Sequence, residues 1–114
     1  MRVARLLVVG VLAAGVACSS STYGGGGGVP TPNQVFMQNT AFNPTPRIVP
    51  VGTTVTWVNK DGVTHTTSSS PGSAQVWDMT VGPGASTAVM FSAAGMYPYH
   101  CNIHPGMQGT IVVQ

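Results

Sequence analysis

Cys101, His104 and Met107 stand three residues apart in the run Cys101-Asn102-Ile103-His104-Pro105-Gly106-Met107, close to the C-terminal end of the 114-residue chain. A thiolate, an imidazole and a thioether on one short loop form a soft nitrogen-and-sulfur donor set. Thiolate and thioether favour Cu(I) while imidazole accommodates Cu(II), so the set suits copper. A fourth donor has to come from elsewhere, and only two other histidines exist, His65 and His100. A residue next to Cys101 on a strand points to the opposite face, which removes His100 and leaves His65. His65, Cys101 and His104 with a weaker axial Met107 make the two-histidine, one-cysteine arrangement of electron-transfer copper. Taken singly these residues have bland explanations: a core methionine, a small buried cysteine, a surface strand histidine. Their joint spacing carries the metal reading.

The loop needs rigid elements on both sides, and the sequence supplies them. Tyr97, Tyr99 and Cys101 alternate with Met96, Pro98 and His100, the period of two that marks a strand with an aromatic inner face. Thr110-Ile111-Val112-Val113 is a β-branched run that reads as a returning strand. Upstream, Val35-Phe36-Met37 predicts a first strand, and the segment around Phe42 to Val49, broken by Pro44, Pro46 and Pro50, an irregular edge. Thr53 to Asn59 predicts a strand with Val55 and Trp57 on one face, His65 to Ser69 a polar strand, and Ser86 to Ser92 another. Pro71 to Gly84 reads as loop, with Val76-Trp77-Asp78 a short structured piece. Short strands, frequent turns and no helical periodicity predict an all-β sandwich or barrel in a single domain.

Composition excludes some functions. Arg2 and Arg5 sit at the very start; beyond them Arg47 and Lys60 balance Asp61 and Asp78, so no basic face exists for nucleic acid. With Asp61 and Asp78 the only acids, no carboxylate pair is available for acid–base catalysis, and a site with three strong donors has no evident open position for a substrate. The chain is therefore not expected to be an enzyme.

Residues 1–17 read as an export signal: Arg2 and Arg5, an apolar run from Leu6 to Ala17, then small residues. The apolar run is too short to span a bilayer comfortably. Gly15-Val16-Ala17-Cys18 followed by three serines resembles a bacterial lipoprotein signal cleaved before a lipidated Cys18, with Gly15 where leucine is commonest. Ordinary cleavage after Ala17 fits the same small residues, and a Cys18–Cys101 disulfide is a further alternative that would consume the metal thiolate. Residues 18–32, with five consecutive glycines and then Val29-Pro30-Thr31-Pro32, form a tether spanning about 20 Å by random-coil scaling. The folded domain is expected over residues 33–114.

Across that domain the sequence resembles the cupredoxins, small blue copper proteins of the plastocyanin, pseudoazurin and amicyanin kind. Trp57-Val58-Asn59 leading to His65 resembles the strand before the family's first histidine ligand. Gly95-Met96-Tyr97-Pro98-Tyr99-His100-Cys101 resembles its approach to the cysteine, and Gln108 to Val113 its closing strand. The two-residue spacing between His104 and Met107 is like that of amicyanin. The resemblance implies a Greek-key β-sandwich of about eight strands with one copper ion at one end. Thr66 departs from it, standing where the family often has an asparagine that ties two loops together; its hydroxyl and N–H are expected to do part of that work.

The function expected is one-electron transfer between redox protein partners that dock near His104 and Pro105, by a monomer that touches a membrane only through a lipid on Cys18. An export destination, periplasmic or otherwise outside the cytoplasm, follows from the signal. The competing function is copper carriage or buffering, although Met1, Met37, Met79, Met90, Met96 and Met107 are scattered and not clustered. His100, on the outer face of its strand, reads as an exposed strand histidine.

Overall fold

The computed structural model describes residues 28–114; the expected signal, Cys18 and most of the tether lie outside them. The described residues form nine strands: β1 (Gln34–Met37), β2 (Phe42–Asn43), β3 (Arg47–Val49), β4 (Thr53–Asn59), β5 (His65–Ser69), β6 (Asp78–Val81), β7 (Ser86–Phe91), β8 (Gly95–His100) and β9 (Gln108–Val113). No helix occurs among the described residues. The strands make two sheets, one ordered β2-β1-β4-β7 and the other β3-β9-β8-β5-β6. Two pairings are parallel, β1 with β4 and β3 with β9, and the rest are antiparallel. The sheets pack as a β-sandwich.

The burial of each strand follows its sequence period. In β4 the side chains of Val55, Trp57 and Asn59 are buried and the intervening residues are more open; in β8 Tyr97 and Tyr99 are buried while Met96 is 65 % exposed. The two inner faces meet through aromatic rings. Trp57 of one sheet stands edge-on to Tyr99 of the other at 5.3 Å between centroids, Phe42 meets Tyr99 at 4.5 Å, and Phe91 meets Tyr97 at 4.8 Å. Such pairs add about 0.5–1.5 kcal/mol each to the area they bury. Gly109 lets this core close, because a Cβ there would come within 2.6 Å of the Tyr99 ring.

Two segments differ from the sequence expectation. The stretch read as loop between Pro71 and Gly84 contains strand β6, and Trp77, just before it, is buried with its indole N–H donating to the Thr67 hydroxyl at 3.0 Å. The short alternation of Asp78-Met79-Thr80-Val81 was masked by its polar members. Strand β5 is polar yet buried from His65 to Ser68, because its side chains bond one another and neighbouring loops. Pro98 sits in β8 between two neighbours, a position unusual for proline. It lies where the β5 ladder ends: β5 stops at Ser69, opposite Tyr99, and the last bond across is the Ser70 N–H donating to the Pro98 carbonyl at 2.9 Å, which asks no donor of Pro98.

Strands β8, β9 and β5 are all interior to the five-stranded sheet. Since β5 runs antiparallel to β8, the start of β5 and the end of β8 lie at the same end of the sandwich, together with the β8–β9 loop. That end holds His65, Cys101, His104 and Met107.

Candidate metal centre

His65 opens β5 and is fully buried; Cys101 follows the last residue of β8 and is fully buried; His104 is half-buried in the loop; and Met107, just before β9, is 2 % exposed. The loop closes on itself, with Cys101 N–H donating to the Met107 carbonyl at 3.0 Å and Met107 N–H to the His104 carbonyl at 2.8 Å. One ligand atom from each of His65, Cys101 and His104 lies within 4.8 Å of the others. The Cys101 sulfur is 3.9 Å from His65 Nδ1 and 3.7 Å from His104 Nδ1, and the two nitrogens are 3.1 Å apart.

These separations fit one ion. At bond lengths of about 2.0 Å to imidazole and about 2.3 Å to thiolate, a planar three-donor site sets nitrogen and sulfur about 3.7 Å apart and the nitrogens about 3.5 Å apart. Cys101 is prepared as a thiolate. Burial alone raises its pKa, but the Thr66 N–H at 3.2 Å, the His104 ring, and the backbone of His104 and Ile103 outweigh it and bring the thiol down to about 6.

His65 is held from behind. Its Nε2 lies 2.7 Å from Asp61 Oδ2, so the ring presents Nδ1 towards Cys101 and His104. The sequence offers no carboxylate pair for catalysis and names no acid among the site residues; a single carboxylate, Asp61, nevertheless touches one of them directly. The signal was faint, an aspartate four residues before a histidine inside a turn. Thr66 does the work expected of it. Its N–H donates to the sulfur, and its hydroxyl accepts the N–H of Asn102 at 2.7 Å. The chain of bonds continues, Thr66 Oγ1 to Ser68 Oγ at 3.0 Å and Ser68 Oγ to Asp78 Oδ1 at 2.6 Å, while the Asn102 amide donates to both Ser68 and Asp78. His100 is turned away from the cluster, as the strand alternation requires, but it is half-buried and not open: its Nε2 meets Asn102 Oδ1 at 2.8 Å and its Nδ1 meets Ser70 Oγ at 2.7 Å.

A two-sheet β-sandwich with two imidazoles and a thiolate converging at one end, and a buried methionine closing the loop, defines a class of mononuclear copper protein. The family model for the cupredoxin-like domain matches residues 8–113, and the chain belongs to the cupredoxin family. It is 37 % identical over 84 residues to plastocyanin of Scenedesmus fuscus, covering 64 % of this chain and 86 % of that protein. It is 35 % identical over 69 residues to amicyanin of Paracoccus denitrificans, covering 58 % of this chain; that match spans about half (53 %) of amicyanin's own length. A solved variant of amicyanin in its oxidized state superposes with a TM-score of 0.65 at 28 % identity, covering 71 % of this chain and 80 % of that one. A copper-containing nitrite reductase from Thermus scotoductus superposes at 0.68 and 31 % identity over 75 % of this chain, but only 23 % of the reductase is involved. Family and donor set together make copper the cofactor, one ion per chain.

Proposed function

We propose that the chain is an exported type 1 (blue) copper protein that carries single electrons between redox partners. His65, Cys101 and His104 would hold the ion as strong ligands, with Met107 as a weaker fourth donor. The observation that carries this is the convergence of His65 Nδ1, Cys101 Sγ and His104 Nδ1 within 4.8 Å at one end of a rigid sandwich. Among its similar structures, amicyanin has been solved in oxidized and in reduced Cu(I) forms, which supports a redox role for the same fold. Bound copper supplies the one-electron couple.

The protein's own residues hold the donors still and keep water out. Cys101 and His65 are fully buried, the loop is tied by its own backbone, and Thr66 fixes the sulfur from strand β5. A donor set that moves little between oxidation states keeps reorganisation small. His104, half-buried beside Pro105 and next to the exposed Ile103, is the proposed exit for the electron and the place where protein partners dock. With formal charges balanced beyond the first residues, association depends little on ionic strength. The chain works as a monomer outside the cytoplasm, held to a membrane by a lipid on Cys18 through the tether of residues 18–32. It performs no catalysis.

The test is the visible spectrum of the chain with Cu(II) added, beside a Cys101→Ala variant. The expected result is an intense thiolate-to-copper band that mild reductant bleaches reversibly and that the variant lacks. A weak, broad band, or tight Cu(I) binding without a stable Cu(II) form, would replace electron transfer with copper carriage.

A further inference from the structure

Asp61 makes more contacts than a surface aspartate needs. Its Oδ2 is 2.7 Å from His65 Nε2 and accepts the Thr40 N–H at 3.0 Å, and its Oδ1 accepts the Asn39 N–H at 2.8 Å. Its own N–H donates to Asn59 Oδ1 at 2.9 Å. Asn59 is fully buried, and its amide donates to the Val63 and Val81 carbonyls at 2.8 and 3.0 Å. So Asp61 is fixed from two sides, by the β1–β2 turn and by the end of β4. The turn itself is strained: Asn39 and Thr40 have φ of 56° and 55°, a left-handed pair without glycine and with one β-branched member. That conformation aims both N–H groups at one carboxylate, and the bonds to Asp61 hold it in place.

The carboxylate is charged. Its two oxygens accept two backbone N–H groups and face a ring nitrogen, the surroundings of a carboxylate and not of a carboxylic acid. A proton on His65 Nε2 would face that anion and leave the Nδ1 lone pair directed at the other two donors. The side chain of His65 is fully buried and that of Asp61 is 16 % exposed, so little water screens the pair.

We propose that Asp61 is a positioning residue for the copper centre: it fixes the tautomer and orientation of His65, and its negative charge, relayed through the imidazole, favours Cu(II) over Cu(I) and sets the reduction potential lower. The proposal rests on the copper assignment above and adds to it a residue and a direction. A hydrogen-bonded carboxylate behind a metal-bound histidine raises the basicity of the ring, and its loss typically weakens metal binding 10- to 100-fold.

The experiment compares Asp61→Asn, Asp61→Ala and, as a control for a nearby charge, Lys60→Gln in the copper-loaded chain, reading the visible band, the reduction potential and the copper affinity. Asp61→Asn keeps an acceptor for Nε2–H and removes the charge. It should retain the band while its preference for Cu(II) falls about tenfold, a rise of about 59 mV for a one-electron couple. Asp61→Ala should shift at least as far and also lose copper affinity. An Asp61→Asn potential no further from wild type than that of Lys60→Gln would overturn the proposal while leaving the copper assignment intact. A wild-type chain without the band would overturn both. If neither Asp61 variant folds, the ring nitrogens of His65 in the metal-free wild type decide by ¹⁵N NMR. A proton fixed on Nε2 upholds the proposal, and an average over both tautomers overturns it.

Discussion

Thr66 is bonded to Cys101 and to the residue after it at once: its N–H donates to the sulfur at 3.2 Å, and its hydroxyl oxygen accepts the Asn102 N–H at 2.7 Å. The direction of the remaining protons follows. Ser68 gives its hydroxyl proton to the Asp78 carboxylate, so Thr66 gives its own to Ser68, and a one-way chain of donors runs from the ligand loop to β6. Strand β5 and the β8–β9 loop are thereby locked together beside the candidate metal centre by side chains outside the proposed donor set.

Replacing Thr66 by valine keeps the N–H to sulfur and removes the hydroxyl. Asn102 then loses the acceptor for its N–H and Ser68 a donor, within a partly buried network. We expect a loss of about 1–3 kcal/mol in stability by urea denaturation, with the thiolate band still present. A Thr66→Val protein as stable as wild type would show that water replaces the hydroxyl at no cost.

Gly109→Ala tests the fit of the core under the site. The added methyl meets the Tyr99 ring, which is itself packed against Phe42 and Trp57 and has little freedom to move. Overpacking of this kind costs about 1–3 kcal/mol. Denaturant titration should show it as a lower midpoint at an unchanged slope.

The metal-free protein should become more stable as pH rises from 6 to 9. Cys101 ionises at about 6 in the folded chain against an ordinary 9.0. A group whose folded pKa is depressed contributes stability in full above its unfolded value and loses it as pH falls through the folded one. The ultraviolet absorbance of the thiolate should titrate near pH 6, and Cys101→Ala should flatten this part of the stability profile. A midpoint near 9 would show that the hydrogen bonds to the sulfur do no more than offset burial, and one above 9 that burial prevails.

Ile103 is 51 % exposed beside His104 and carries the proposed docking surface. Ile103→Glu places a charge where two copies must approach each other. Electron self-exchange, read from NMR line widths in mixed oxidized and reduced samples, should slow by about a factor of ten at low salt and recover partly at high salt. An unchanged rate would move the contact surface away from this loop.

Most of the sandwich was legible in the sequence because its core strands are amphipathic with a period of two; Val55 and Trp57 in β4, and Tyr97 and Tyr99 in β8, point inward as their spacing implies. Strand β6 was not, since Asp78 and Thr80 hide its alternation and its partner is the polar β5. The cluster of His65, Cys101 and His104 was legible from residue type and spacing. Asp61 was not, because what brings it to His65 is a turn between β1 and β2, more than twenty residues upstream, whose left-handed pair contains no glycine to announce it. Thr66 lay between these cases: its place in the chain marked it as a substitute for asparagine, but its relay to Asp78 depends on β6.

The proposed donors come from two places in the chain, His65 at the start of β5 and Cys101 thirty-six residues later, just after β8. An ion bound by both is a cross-link as well as a redox centre. It closes a loop that includes β5, β6, β7 and β8, and in doing so removes conformations open to the unfolded chain, as a disulfide does. The clasp has a property no disulfide has, since its strength changes with a single electron. Whichever oxidation state binds more tightly is also the form that unfolds less readily, so the melting temperatures of the two forms record, in heat, the same difference that the reduction potential records in volts.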